Sequence, residues 1–126
     1  MDDKGNLPSK EEIEQFLKIF KSYWDGTVIP RADPKNDETL AMLGITPKHR
    51  MEEVKCLHYE DYYDGPSPDY DERFSKEWWE FGRRIKKHEI YIKICIYKNP
   101  KGKYKAECMS FHIAEGNITY PFKGRS

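Results

Sequence analysis

Glu80, Tyr91, Lys93, Ser110 and His112 all fall in the second half of the chain. Their types suit proton transfer. Glutamate and histidine exchange protons at accessible pH, tyrosine can donate one, and lysine carries a fixed positive charge. Cleaving an RNA phosphodiester without metal needs such a set: a base for the 2′-hydroxyl proton, an acid for the 5′-oxygen leaving group, and cations for the pentacoordinate phosphate. Glu80 or His112 can serve as the base, and His112 or Tyr91 as the acid. Lys93 with Arg83 or Arg84 would stabilise the charge. Trp78 and Tyr97 add rings on which an unpaired base can stack. Each type also has a plain role, because a tyrosine or lysine on a wetted strand needs no function and Glu80 can simply pair with a lysine.

Whether these side chains meet depends on strand phase. From Trp78 onward the apolar pattern has a period of two, which predicts strands over 78–83, 88–97 and 103–113. "RRIKK" marks the first crossing and "NPKGK" the second hairpin, so antiparallel neighbours are expected. Residues on a strand alternate between faces. Ile90, Ile92, Ile94 and Ile96 share one face, and Tyr91, Lys93, Cys95 and Tyr97 the other. Met109, Phe111 and Ile113 are expected in the core, with Cys108, Ser110 and His112 opposite. Trp79 and Phe81 go inward; Glu80 goes outward, with Trp78 exposed beside it.

The isoleucine face needs a cover, and the first half supplies amphipathic helices. Ser9 and Glu12 have the spacing of a capping box. The stripe Ile13, Phe16, Leu17, Phe20, Tyr23 and Trp24 follows, and Gly26 stops it. Residues 25–37 are turn-rich, with 27–29 the only plausible extended piece. Asn36 or Asp37 is expected to cap a short helix ending at Gly44. Thr46 before Pro47 starts another, because proline is tolerated where its missing amide would be unpaired anyway. Met51, Val54 and Leu57 form its inward face. "HYEDYYDGPSPDYDE" reads as a loop and residues 1–8 as a frayed start. The expectation is one α+β domain over 9–126, with helices on one face of an antiparallel sheet of three to four strands and the other face open.

Net charge is +0, yet residues 81–126 hold eleven Lys/Arg against three Asp/Glu, and the first 80 residues carry the compensating negative excess. Such asymmetry suits a polyanion-binding surface, or a basic face shielded by an acidic one. Cys56, Cys95 and Cys108 have no CxxC spacing, so neither a disulfide framework nor a zinc site is suggested. Cys95 and Cys108 read as packing residues rather than nucleophiles. The loop carboxylates Glu60, Asp61, Asp64, Asp69 and Asp71 imitate a metal cluster but lack His or Cys partners, so no metal and no cofactor is expected. No signal peptide or membrane span is visible, which reads as a soluble cytoplasmic protein.

Several strings in sequence order, "GITPKHRMEEVKCLHYEDYYDGP", "WEFG", "EIYIKI" and "MSFHIAE…YPFK", resemble the MqsR-like toxins of bacterial toxin–antitoxin systems, small RNases of the wider RelE-like group. The resemblance spans about Gly44 to Lys123. It implies a RelE-like fold and a metal-independent endoribonuclease acting on single-stranded mRNA. The implied partners are that mRNA and a cognate antitoxin, with the need for a ribosome left open. The family pattern has a loop Asp-aromatic-Tyr-Lys, a strand Trp-Gln, a strand aliphatic-Tyr-aliphatic-Lys and a final Ser-Phe-Lys. Here Asp64 stands at the loop lysine, Glu80 at the glutamine and His112 at the final lysine, while Trp79, Tyr91, Lys93 and Ser110 match. Asp64 removes a cation, so no catalytic role passes to that position. Glu80 and His112 keep proton-transfer ability. The alternative is a RelE-like module that binds RNA or a protein without chemistry, which a net charge of zero favours.

Overall fold

In the computed structural model, residues 7–29, 34–69 and 75–124 are described. Of the expected frayed start, residues 1–6 lie outside them. Helix α1 runs Lys10–Tyr23 and opens on the expected capping box: Ser9 Oγ accepts from the Glu12 amide at 3.0 Å and Glu12 Oε1 from the Ser9 amide at 2.7 Å. Ile13, Phe16, Leu17 and Phe20 are buried, and Phe16 stacks on Trp79 with ring centroids 4.5 Å apart. Tyr23 departs from the expected stripe. It sits at the edge of the helical arc, and 53% of its surface stays exposed.

Helix α2, Lys35–Leu43, ends at Gly44, whose φ of 68° is the left-handed conformation that glycine adopts without strain. Asn36 is not its cap. Pro34 holds that position, and Asn36 is buried inside the first turn. Helix α3, Pro47–Lys55, begins as expected, with Thr46 Oγ1 accepting from the His49 amide at 3.1 Å. Val54 and Leu57 are fully buried and Met51 packs at the border of the core.

Four strands form one antiparallel sheet in the order β1-β2-β3-β4: β1 Tyr62–Pro68, β2 Glu77–Ile85, β3 His88–Lys98 and β4 Tyr104–Ile113. β1 corrects the reading of this stretch as a loop. Gly65, Pro66 and Pro68 hide the strand in the sequence, and they are tolerated because β1 is an edge with two register shifts. Among the described residues the architecture is therefore α+β, three α-helices with a four-stranded antiparallel sheet.

A second correction concerns β4. Its register against β3 shifts once, so that Lys93 pairs with Ser110 but Ile94 pairs with Cys108, leaving Met109 as the extra residue of a bulge. Cys108 therefore joins the core with the isoleucines, while Met109 is only half-buried and lies outside it. From Ser110 onward the expected phase holds. The outer side of β4 is satisfied by other elements: the Asn36 amide donates to the Met109 carbonyl and accepts from the Phe111 amide, both at 3.0 Å. Thr39 Oγ1 accepts from the Ile113 amide at 3.1 Å, and the Ile29 amide reaches the Cys108 carbonyl at 2.9 Å.

The second face of the sheet is not open along its length, as expected from parity alone. After β4 the chain turns back, and Tyr120 lies over Gly82, where an added Cβ would stand 2.3 Å from the tyrosine oxygen. Tyr120 donates to Glu89 Oε2 at 2.6 Å on this face, and the chain then passes to the helix-side core, where Phe122 packs edge-on against Tyr62 with centroids 5.7 Å apart. This strap covers one end of the face. Toward the other end Trp78 and Cys95 are buried outside the main core. Among the described residues, no helix is long and apolar enough to cross a membrane.

Candidate functional site

Between the strap and Trp78 lies a cleft of roughly 340 Å³, walled by Tyr63, Glu80, Tyr91, His112 and the segment Ala114–Ile118. Strand pairing assembles it. Across the sheet Glu80 pairs with Lys93 and Lys93 with Ser110, while in the next row Gly82 pairs with Tyr91 and Tyr91 with His112. Side chains at these positions share one face.

The Tyr91 hydroxyl donates to Glu80 Oε1 at 2.7 Å, and the Tyr91 and His112 rings lie 5.4 Å apart, tilted by 37°. His112 Nδ1 is 3.1 Å from the Ile113 carbonyl, which can only accept, so Nδ1 carries a proton. In the neutral ring the exchangeable lone pair then belongs to Nε2. Burial, and next the bond to Glu80, push the Tyr91 hydroxyl far above the usual tyrosine range. Its proton is held. Of the candidate acids, His112 is therefore better suited to giving one up. Both His112 and Ser110 are buried, less wetted than an open face would leave them.

The remaining candidates divide. Lys93 belongs to the same ladder but is not part of the cleft wall; its ammonium lies 5.8 Å from the Trp78 ring centroid. Trp78 corrects the expectation of an exposed stacking ring, because it is 3% exposed and its indole N–H donates to Asp69 Oδ2 at 2.9 Å. Arg83 is also corrected. It pairs with Ile90 on the helix side of the sheet, and its Nε donates to Glu53 Oε1 at 2.6 Å, away from the cleft. Odd-number parity with Trp79 and Phe81 already carried that signal. Arg84 is exposed at the β2–β3 turn, where it donates to the Lys87 carbonyl at 3.1 Å. Tyr97 is half-buried, donating to Glu107 Oε2 at 3.2 Å with the Lys76 ammonium 4.8 Å from its ring centroid.

Burial pushes the Cys95 and Cys108 thiols up to about 12, which suits packing residues and not nucleophiles. Asp61 accepts from the His58 amide and Asp64 from the Gly65 amide, while Asp71 lies outside the described residues. Among the described residues no group of His, Cys, Asp and Glu is arranged to hold a metal ion.

Sequence reasoning gave no role to Tyr63 or to the strap residues of the cleft wall. The strap has no apolar period to read. One signal was present, because glycine inside a strand marks a close approach by another chain segment, and Gly82 is such a residue. Compared with protein-family models, with curated proteins and with solved structures, the chain matches none.

Proposed function

We propose that this protein is a RelE-like, toxin-type endoribonuclease that cleaves single-stranded mRNA by metal-independent 2′-hydroxyl attack and is neutralised by a cognate antitoxin. The observation that carries the reading is the joining of Glu80, Tyr91 and His112 in one cleft, with the Tyr91 hydroxyl 2.7 Å from Glu80 and the His112 ring 5.4 Å from that of Tyr91. In this mechanism Glu80 takes the 2′-hydroxyl proton and the 2′-oxygen attacks phosphorus. His112 protonates the departing 5′-oxygen, leaving a 2′,3′-cyclic phosphate and a 5′-hydroxyl. Tyr91 orients the Glu80 carboxylate. Protonated His112, and Lys93 beside Glu80 in the ladder, oppose the charge on the phosphorane.

The test uses purified protein, a single-stranded RNA and excess EDTA. Wild type should cut and leave cyclic phosphate ends; His112→Ala should cut at least a hundredfold more slowly. Persistent cutting by that variant removes His112 from the mechanism, and activity that appears only with added Mg²⁺ or Mn²⁺ replaces the mechanism with a metal-dependent one. A second reading, a RelE-like module that binds RNA or a protein without chemistry, has its own support. Among the described residues, those walling the cleft include Glu80 and Glu115 but no lysine or arginine, although Lys35 pairs with Glu115 from outside the wall. Wild type that binds the RNA and leaves it intact decides for this reading.

A further inference from the structure

An acidic cleft raises the question of where an RNA chain would be held, and the cations are concentrated elsewhere. The stretch "KNPKGKYK", residues 98–105, carries four lysines and no carboxylate. It forms the tip of the β3–β4 hairpin, and Lys98, Lys101, Lys103 and Lys105 are all exposed. The tip is a built turn. Asn99 Oδ1 accepts from the amides of Lys101 at 2.9 Å and Lys103 at 3.0 Å, the Asn99 amide reaches the Lys103 carbonyl at 2.9 Å, and Gly102 takes a φ of 80°. The lysines are thus presented from a fixed backbone.

Beside them stands an aromatic pair from two elements. Tyr23, at the end of α1, and Tyr104, at the start of β4, have ring centroids 5.4 Å apart at 48°, and the Lys98 ammonium lies 5.2 Å from the Tyr104 centroid. Tyr23 is 53% exposed, so it offers a ring face to solvent where the amphipathic stripe has run past the sheet. Of the nearby carboxylates, Glu107 holds Lys76 and Tyr97, while Asp25 accepts from the Thr27 amide at 2.9 Å and its charge also acts on Lys105, which is therefore left out of the site.

We propose that the β3–β4 hairpin tip and the end of α1 form a contact site for single-stranded RNA, with Lys98, Lys101 and Lys103 on phosphates and the Tyr23–Tyr104 pair as the stacking platform. Lysines alone would serve any polyanion, duplex or anionic lipid. The exposed Tyr23 ring beside half-buried Tyr104 selects a ligand with unpaired bases, because a duplex keeps its base faces covered. The tip lies at the opposite end of β4 from His112, roughly 25 Å along the strand, so its contacts are separate from those of the cleft. The proposal goes beyond the catalytic reading and does not require the cleft to be reactive.

The probe is a labelled, unstructured 12-nucleotide 2′-O-methyl oligoribonucleotide, which has no 2′-hydroxyl to attack, titrated with the full chain and followed by fluorescence anisotropy in EDTA. Lys101→Glu with Lys103→Glu should weaken binding at least tenfold. It should also make log K against log salt shallower by about 1.4, roughly 0.7 for each lost phosphate contact. Tyr23→Ala with Tyr104→Ala should weaken binding roughly tenfold, within the range expected for one stacked base, and leave the salt slope unchanged. Circular dichroism and the unfolding midpoint confirm that each variant is folded. Unchanged affinity in either folded variant overturns the proposal, as does equal affinity for a duplex of the same sequence or preferential binding to phosphatidylserine vesicles. Wild type that binds this probe yet leaves unmodified RNA uncut sinks the nuclease reading alone.

Discussion

The Tyr91 hydroxyl donates a hydrogen bond to Glu80 from a half-buried position, and both facts hold the phenol neutral. Its contribution to the proposed chemistry is orientation of the carboxylate. Tyr91→Phe keeps the ring against His112 and deletes only the donor, so kcat should fall at least tenfold with KM nearly unchanged. A variant with full activity would reduce Tyr91 to a packing residue. Arg50 poses a different residue-scale problem. It is 7% exposed, and its Nε and Nη1 have no hydrogen-bond partner among the described residues. Two buried guanidinium nitrogens left unpaired cost more in lost hydration than they return. Arg50→Met keeps the aliphatic stem and deletes the guanidinium. It should raise the unfolding free energy by about 1 to 4 kcal/mol in urea titration. A drop instead would show that the guanidinium serves the fold in some other way.

At the scale of elements, β4 depends on α2. Asn36 uses both ends of its amide on the strand, next to the bulge that precedes Ser110 and His112. Asn36→Leu leaves the Met109 carbonyl and the Phe111 amide without these bonds in a buried setting. With about 1 to 3 kcal/mol for each unsatisfied group, the variant should lose roughly 3 kcal/mol of stability, read from denaturant midpoints at constant slope. Retention of full stability would mean that the edge of β4 is held by Thr39 and Ile29 alone. The same strand shows what a sequence reveals. The isoleucines of β3 mark its phase without ambiguity, and parity from Ser110 to His112 follows from Phe111 being apolar. The bulge at Met109 does not show, because the shift exchanges one apolar residue, Met109, for another, Cys108. β1 is hidden for a different reason: its prolines and glycine signal turns, and only the free edge makes them compatible with a strand. Burial of Trp78 is likewise invisible in its own strand, since it depends on Asp69 in the segment after β1.

For the molecule as a whole, burial of tyrosines couples folding to alkaline pH. Burial first, then nearby carboxylates, raise the Tyr62 hydroxyl to about 12, with Asp64 and Glu80 the contributing charges. Tyr91 and Tyr120 are shifted the same way, each by burial and by its bond to Glu80 or Glu89. A raised value in the folded state means that the unfolded chain loses these protons first, near pH 10. The stabilisation is therefore complete below pH 10 and is lost as pH climbs through the folded values. Lys21 works in the opposite sense. Burial lowers its value, so the folded chain releases that proton early and gains stability as pH rises toward 10.5, offsetting part of the tyrosine effect. Each tyrosine still protonated in the folded state contributes a fall of at most about 1.4 kcal/mol per pH unit above 10, reduced where the ring is partly solvated. The buried Cys95 and Cys108 thiols, raised to about 12, act in the same sense as the tyrosines from the lower thiol range. Unfolding free energy should therefore be level from neutral pH to about pH 8, begin to fall above it, and fall between pH 10 and 11 by about 2 kcal/mol or more. Tyr62→Phe should make that fall shallower, because one proton no longer distinguishes the two states. Urea titrations at fixed pH steps measure both slopes, and a wild-type profile that stays level to pH 11 would show that these hydroxyls ionise as freely in the folded chain as in the unfolded one.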